Sequence, residues 1–244
     1  MFKAHNNPST LFHHEKELSS KFSLLVWNIH KENQTEEFKK QLHQFTQKYQ
    51  TDLLLFQEVK YSKKRPFQLE DYSFALAGNI ETKQYIFGVL TATKSSFTQI
   101  TPTLSTKKEL GFISHKSFLI SKHKMQNKKE LTVLNLHAIN FVTTKIFEHE
   151  LSTIESILSK LDGPLIVAGD FNSWSKKRHK LLKNFQQNLG LKKVEVANEK
   201  NVKKIFSHMI DYIYYRELKP LQATAIETKK VSDHNPIYAL FELL

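Results

Sequence analysis

The chain has 244 residues and a formal net charge of +12, from 36 Lys and Arg against 24 Asp and Glu. A hydrophobic fraction of 40% with only 6 Gly and 6 Pro excludes a disordered or collagen-like protein, and the lack of Cys excludes disulfides and thiolate metal sites. The positive charge favours a polyanionic partner, either a nucleic acid or an anionic lipid surface.

The length suits one large α/β domain, and no break in composition marks a linker. We therefore predict a polar N-terminal leader over residues 1–21 and a single folded domain over residues 22–244. No apolar run has the length of a membrane span, and the first twenty residues lack the apolar core of a signal peptide, so we expect no transmembrane segment and a cytoplasmic location. A monomer is the default expectation.

The first half of the chain predicts a βαβ unit. Apolar runs over residues 22–29 and 52–58 indicate buried strands, and Asn33 followed by Glu36 predicts the N-terminal cap of the helix between them. The inward face of that helix carries apolar residues at spacings of four, three and four: Phe38, Leu42, Phe45 and Tyr49. Antiparallel strands are then predicted over residues 72–77, 84–91, 97–103 and 118–121.

The second half repeats this order with a strand over residues 131–137, a helix, and a strand that ends at Asp170. The helix is indicated by apolar residues at alternating spacings of four and three: Phe147, Leu151, Ile154, Leu158 and Leu161. A further helix is predicted over residues 176–189, and strands over residues 210–215, 221–226 and 236–241. Together these elements predict a four-layer α/β sandwich, with two packed mixed β-sheets and helices on the outside.

Polar side chains follow each apolar run, at the positions where such sheets bind ligands. They come from six separate segments: Asn28, Glu58, His137, Asp170 with Asn172, Asp211, and Asp233 with His234. The oxygen-rich set of Glu58, Asp170 and Asp233 suits Mg²⁺ or Mn²⁺. Asp211 and His234 form a candidate acid–imidazole pair, and the combination matches phosphate ester hydrolysis.

Ordinary structural interpretations stay open for several of these residues. Asp170 with Asn172 is also typical of an Asx turn, Asp211 could pair with Arg216, and Glu58 could be a loop acid beside Lys60.

Basic clusters are scattered along the chain, and such runs are most often solvated loops. They include residues 60–65 and 176–180 and the pairs Lys107-Lys108 and Lys229-Lys230. Lys116 and Arg178 are possible phosphate contacts, although we expect both on the surface.

Six short motifs carry a family resemblance. They are Trp27-Asn-Ile29, Phe56-Gln-Glu58, Asn135-Leu-His137, Gly169-Asp-Phe-Asn172, Ile210-Asp-Tyr-Ile213 and Ser232-Asp-His234. In this order they resemble the motifs of the DNase I-like endonuclease/exonuclease/phosphatase superfamily, over about residues 23–240. Within it, the chain is most similar to a bacterial YafD-like subgroup. The resemblance implies the sandwich fold and a divalent-metal-dependent phosphoesterase.

The resemblance also implies roles for the metal-binding residues. Glu58 would be the principal ligand of Mg²⁺, with Asn28 close to the metal and the phosphate. Asp233 would lie near a second metal position.

The remaining residues would bind the phosphate and move protons. His137 would bind the scissile phosphate, Asp170 would orient or deprotonate the attacking water, and Asn172 would hold Asp170 or the phosphate. His234, steered by Asp211, would contact a phosphoryl oxygen or act as the acid–base. The resemblance leaves open whether Asp170 or His234 takes the proton.

The substrate expected from the net charge is a nucleic-acid backbone, which makes the chain a candidate nuclease. A phospholipid or phosphoinositide headgroup is the alternative substrate, and a catalytically inactive binding module is the alternative class of protein. Abasic-site endonucleases typically carry Asp two residues after the first motif Asn, whereas this chain has His30 there, which argues against repair of abasic sites.

Overall fold

The computed structural model describes residues 6–65, 69, 71–105, 115–228 and 231–244. The basic pairs Lys107-Lys108 and Lys229-Lys230 lie outside these residues. Within them, the chain forms two packed mixed β-sheets, a short hairpin and three α-helices: α1 (Glu36–Tyr49), α2 (Thr144–Leu158) and α3 (Lys176–Asn188). The predicted α/β sandwich is confirmed.

The first sheet has seven strands in the described part of the chain. In spatial order they are β1 (Ser9–Thr10), β4 (Ser73–Glu81), β5 (Tyr85–Thr93), β3 (Leu53–Ser62), β2 (Lys21–Asn28), β15 (Ile237–Leu243) and β14 (Leu218–Ala225). Only β2 and β3 pair in parallel among these described strands, and α1 connects them. Both strands are apolar because both faces of the sheet are covered there.

The second sheet has six described strands and the same type of centre. In order they are β10 (Lys192–Lys193), β13 (Asp211–Arg216), β9 (Leu165–Asp170), β8 (Glu130–His137), β7 (Ser117–Lys124) and β6 (Gln99–Leu104). The central strands β8 and β9 are parallel and α2 connects them. A separate hairpin of β11 (Lys204–Ile205) and β12 (His208–Met209) precedes β13.

Three hydrophobic layers hold these elements together. Phe22 and Phe241 belong to the cluster that joins the inner faces of the two sheets. Trp27 stacks on Phe38 of α1 outside the first sheet, and Phe185 of α3 packs outside the second. The helices therefore cover the outer faces of both sheets, as a four-layer sandwich requires.

The predicted cap of α1 is wrong. Thr35 is the N-cap, and its hydroxyl accepts from the Phe38 N–H at 3.3 Å. Asn33 lies in the preceding 3-10 turn, where its side chain bonds the N–H of Lys60 at 2.9 Å and the carbonyl of Lys60 at 3.0 Å. This tertiary link to β3 uses the groups that would otherwise cap the helix.

The described part of the leader is attached to the domain. Ser9 and Thr10 pair with β4, and Leu18 is buried and forms a bridge with Met125. Among the helices of the described residues, none combines the length and apolar character needed to cross a bilayer. Each predicted strand has a counterpart in the structure, and several extend past their apolar runs. For example, β14, predicted over 221–226, begins at Leu218 and contains a bulge between Pro220 and Gln222.

Candidate active site

Three neighbouring strands of the second sheet bring their polar ends together. Asp170, the last residue of β9, is paired in register with His137 of β8 on one side and with Asp211 of β13 on the other. Gly169 allows this close approach, because its φ is +138° and a Cβ there would lie 2.0 Å from the Leu136 carbonyl oxygen. All three side chains of the site are buried.

Asn28 connects this cluster to the first sheet. Its amide nitrogen donates to Asp170 Oδ2 at 3.1 Å and lies 3.5 Å from Glu58 Oε1. Glu58 has a φ of +54° and lies where the pairing of β3 with β5 is interrupted, between Phe56 and Val59. The left-handed backbone of Glu58 is uncommon for a residue with a side chain and sets the direction of its carboxylate toward the site.

Two lysines bring positive charge to this side of the site. Lys31 Nζ lies 3.0 Å from Glu58 Oε2, and Lys116 Nζ lies 3.2 Å from His137 Nε2. A cavity of about 350 Å³ adjoins all four side chains. The expected surface position of Lys116 is therefore wrong, because this residue is half-buried at the site.

The surrounding charges set the protonation of Glu58 and His137. Burial alone would raise the pKa of Glu58, but positive charge outweighs it and lowers the pKa to about 2: that of His137 in its protonated form, and those of Lys116 and Lys31. Burial and the charge of Lys116 hold the pKa of His137 well below its ordinary value. At neutral pH the site thus contains an ionised Glu58 and a neutral His137, whose Nε2 accepts from Lys116.

Asp170 is held by the turn that follows it. The backbone N–H of Asn172 donates to Asp170 Oδ1 at 2.9 Å, which is the Asx-type turn of the structural interpretation. The amide of Asn172 donates to the Ala138 carbonyl at 2.9 Å. Burial, with the charge of Asp211, raises the pKa of Asp170 to about 7.

Asp211 and His234 form the predicted pair. His234 Nδ1 donates to Asp211 Oδ2 at 2.8 Å, which leaves Nε2 facing Asp170 Oδ2 at 4.0 Å. Burial alone would lower the pKa of His234, but the charge and hydrogen bond of Asp211, with the charges of Asp170 and Asp233, raise it to about 9. The alternative pairing of Asp211 with Arg216 is wrong, because Arg216 donates to backbone carbonyls instead.

Backbone contacts fix the position of His234. Trp27 Nε1 donates to the His234 carbonyl at 2.8 Å, and the Ser232 hydroxyl donates to the Asn28 carbonyl at 2.7 Å. The last motif is thereby tied to the first. Asp233 differs from its neighbours, because it is exposed at the rim of the site and paired with Lys203 at 2.8 Å.

Arg178 is not on the surface, which corrects the expectation from the sequence. Its guanidinium is buried, donates to the carbonyls of Asn172, Ile139 and Val142, and lies over the ring of Trp174. The residue is a structural support of the loop that carries Asn172. Arg178 is the single Arg of the basic run of residues 176–180 and precedes Leu182 by four residues, which places it on the buried face of α3. This spacing is the signal that could have indicated its role.

The residues fit a hard divalent cation. The ionised Glu58 carboxylate is a donor that Mg²⁺ and Mn²⁺ prefer, and the Lys31 ammonium shows that a cation is accommodated beside it. Asn28 turns its amide nitrogen toward Glu58, while its oxygen accepts from the His30 N–H at 3.1 Å. Asp170, Asp211 and His234 form a second group, with ligand atoms within 4.8 Å of one another. In that group Asp211 Oδ1 is buried without a hydrogen-bond partner among the described residues.

A double sheet with carboxylates and imidazoles gathered at one edge defines a hydrolase of the DNase I-like type, and comparisons with known proteins agree. The sequence profile of the Endonuclease/Exonuclease/phosphatase family matches residues 25–234. The chain belongs to this family, as its ordered motifs predict, and is thus a phosphoesterase of this superfamily.

Individual relatives extend over nearly the whole chain. A UPF0294 protein of Vibrio parahaemolyticus is 32% identical over 226 residues, covering 92% of this chain and 79% of the relative. The structure of an endonuclease/exonuclease/phosphatase family protein from Leptotrichia buccalis is similar with a TM-score of 0.68 at 18% identity, covering 91% and 100% of the two chains. That of D. rerio TDP2 complexed with a single-strand DNA product is similar with a TM-score of 0.64 at 17% identity, covering 91% and 99%.

Proposed function

We propose that this protein hydrolyses phosphodiester bonds of nucleic acid with the help of Mg²⁺ or Mn²⁺. The observation that carries the proposal is the position of Asn28, which joins the ionised Glu58 to the buried Asp170. A carboxylate suited to a metal and a carboxylate suited to accept a proton thereby lie on the two sides of one small site.

The metal would be held by Glu58, with Asn28 close beside it, and Asp233 at the rim is the proposed contact of a second ion. When bound, the ion would neutralise the charge that develops on the phosphate and lower the pKa of the attacking water. His137 would bind a phosphoryl oxygen. Lys31 and Lys116, which already lie at the site, would add two further cations against the phosphate.

The displaced pKa values divide the proton transfers between Asp170 and His234. Asp170, with a pKa raised to about 7, is suited to accept a proton from water near neutral pH. His234, with a pKa raised to about 9, is protonated at that pH and can donate from Nε2 to a phosphoryl or leaving oxygen. Asp211 orients His234 through Nδ1, and Asn172 holds Asp170 through its backbone N–H.

Nucleic acid is favoured as the substrate by the net charge of +12, since lysines and arginines bind phosphates without regard to sequence. A structural neighbour with a single-strand DNA product supports the same class. A phospholipid or phosphoinositide headgroup is the second candidate, because the chemistry at phosphorus would be the same. With nucleic acid as the substrate, the cytoplasm is the proposed location.

Turnover of bis-p-nitrophenyl phosphate tests the reaction. We expect activity that requires Mg²⁺ or Mn²⁺, disappears with EDTA, and falls about 100-fold or more in Glu58→Ala. Glu36→Ala, which changes an exposed carboxylate on α1, is the matched control and should keep wild-type activity. Equal metal-independent rates in all three proteins would rule out the enzyme proposal.

A substrate panel tests the choice of nucleic acid. Plasmid DNA, single-stranded DNA, RNA, sphingomyelin and phosphoinositides would be compared at equal enzyme concentration. Cleavage of nucleic acid alone supports the proposal. Hydrolysis confined to the lipids would show that the site is right and the substrate wrong.

A further inference from the structure

The turn of the β11–β12 hairpin has an unusual composition. Phe206 and Ser207 have φ values of +48° and +69°, the conformation of a two-residue turn that favours Asn and Gly. Phe206 is also 80% exposed. Neither the backbone conformation nor packing in the core accounts for a large apolar ring at this position, and a residue held in an unfavoured conformation points to a function.

The ring of Phe206 lies against the loop that follows Asp170. It contacts Trp174 edge-on, with ring centroids 6.3 Å apart. Trp174 is held by a hydrogen bond of 2.9 Å from its Nε1 to Asn140 Oδ1 and by the guanidinium of Arg178. Phe141, the next residue after Asn140, is 67% exposed. Several aromatic rings thus flank the proposed site on one side.

A basic groove lies behind the hairpin. It has a volume of about 790 Å³ and runs between α3, β10 and the hairpin. Five lysines line it, from three different elements: Lys180, Lys183, Lys192, Lys193 and Lys204. Glu195 and Glu199 are the acids of the lining, so positive charge is in excess.

Two histidines also line the groove. The rings of His179 and His208 lie 4.6 Å apart, and burial together with the charges of His208 and Lys193 lowers the pKa of His179. The groove lies on the outer face of the second sheet with Tyr212 and Tyr214, whereas Asp211 shares the inner face of β13 with Ile213. The hairpin links the groove to the site, because Ser207 lines the groove and Phe206 contacts Trp174 in the loop that follows Asp170.

We propose that the groove and the aromatic hairpin bind a single strand of nucleic acid on one side of the scissile phosphate. The lysines of α3 and β10 would contact successive phosphates, and bases would stack on Phe206 and Trp174. An unpaired strand is the form that fits, because bases in a duplex are stacked on one another and present no free face to the rings. This inference rests on the proposed function and adds a substrate form and a binding surface to it.

Two variants separate the contribution of charge from that of stacking. Lys180→Glu with Lys183→Glu reverses two exposed charges of α3, and Lys40→Glu with Lys48→Glu on α1 is the control with the same net charge. Phe206→Asn removes the ring and introduces a residue that the turn favours, so its stability in urea should equal or exceed that of wild type. A loss of binding in this variant could then not be attributed to unfolding.

Binding of a fluorescent 12-nucleotide single strand, followed by anisotropy in EDTA, is the first measurement. We expect Lys180→Glu/Lys183→Glu to lose about tenfold or more in affinity and to reduce the slope of log K against log salt by about 1.4. Phe206→Asn should lose about fivefold or more. The α1 control should stay within about twofold of wild type, since it lies on the other sheet.

Steady-state kinetics with an oligonucleotide substrate give the second measurement. For both the groove variant and Phe206→Asn, we expect a higher KM and an unchanged kcat. Equal affinity for the single strand in the groove variant and the α1 control would overturn the proposal. It would also be overturned if Phe206→Asn lowered the affinity only for duplexes or for vesicles of phosphatidylglycerol. If wild type binds the strand in the expected pattern but cleaves no nucleic acid, the binding surface stands and the proposed function fails.

Discussion

Asp170 and His234 face each other across 4.0 Å with pKa values that favour opposite proton transfers. Asp211 influences both residues, because its charge raises the pKa of each. We therefore expect the activity to depend on the buried charge of Asp211, although Asp211 itself would contact neither the attacking water nor the phosphate.

Asp211→Asn tests this dependence, since asparagine keeps an acceptor for His234 Nδ1 and removes the charge. We expect the pKa of His234 to fall toward its ordinary value, the alkaline limb of the pH–rate profile to move to lower pH, and kcat to fall about 100-fold. Imidazole NMR titration and a pH–rate profile measure these effects. Asp52→Asn, at a carboxylate bonded to Ser23, is the control. An alkaline limb that stays in place would exclude His234 as the proton donor.

Single residues differed in how far the sequence revealed them. The acids and imidazoles were predictable, because each follows an apolar run and strand ends meet at one edge of a sheet. Lys31 was not predicted at the site, because its role depends on Glu58, a residue of β3. The role of Arg178 as a support was not predicted either, because the carbonyls that it binds lie in loops that only the fold brings together.

At the scale of elements, α3 is linked to the site through Arg178, whose bonds to Asn172, Ile139 and Val142 join the helix to two loops. Arg178→Met should destabilise the protein by about 3 kcal/mol and also lower kcat, because buried carbonyls lose their donor and Asn172 is released. Urea unfolding and steady-state kinetics measure the two effects.

Arg216→Met is the matched control for Arg178→Met. Arg216 also donates to carbonyls, those of Leu161, Gly163 and Leu189, but at the opposite end of β13 from Asp211. A similar loss of stability without a change in kcat is expected. If both variants reduced kcat equally, the effect of Arg178 would be one of general stability.

The elements themselves were largely predictable from periodicity, and each exception has an identifiable cause. The cap of α1 was misassigned because the Asn33 side chain bonds Lys60 of β3, a contact between segments distant in sequence. The strand β1 has only two residues, Ser9 and Thr10, and no alternating pattern can appear over so short a length.

For the whole molecule, the shifted pKa values predict how stability depends on pH. Glu58 has its pKa lowered to about 2, so its stabilising contribution is present above pH 4.5 and is lost as the pH falls toward 2. His234 has its pKa raised to about 9, so its contribution is present below pH 6.5 and is lost as the pH rises toward 9. Asp170 has its pKa raised to about 7, so its stabilising contribution is present below about pH 4 and is lost as the pH rises toward 7.

The free energy of unfolding without metal should therefore be greatest at mildly acidic pH and decline on both sides. Urea titrations from pH 3 to pH 9 in EDTA measure it. His234→Asn should flatten the alkaline decline, and Glu58→Gln the acidic one. A wild-type profile that is flat from pH 6.5 to pH 9 would contradict the raised pKa of His234.

The fold was predictable at this scale because two segments repeat the order of strand, helix and strand, which indicates two sheets of similar construction. The order of strands within each sheet was not, because it depends on partners that no local pattern specifies. One such link is buried between the sheets, where Gln57 Nε2 donates to Asn135 Oδ1 at 2.7 Å. From the sequence, these residues belong only to separate strand ends.

The pairing of β2 with β15 has a consequence for biosynthesis. Val26 lies opposite Ile237, and the carbonyls of Asn28 and His234 accept from Ser232 and Trp27, more than 200 positions away along the chain. On the ribosome, the first sheet stays incomplete and Asn28 lacks these neighbours until residues 232–243 have been made and have emerged. A nascent chain that stops short of them is expected to be without hydrolytic activity.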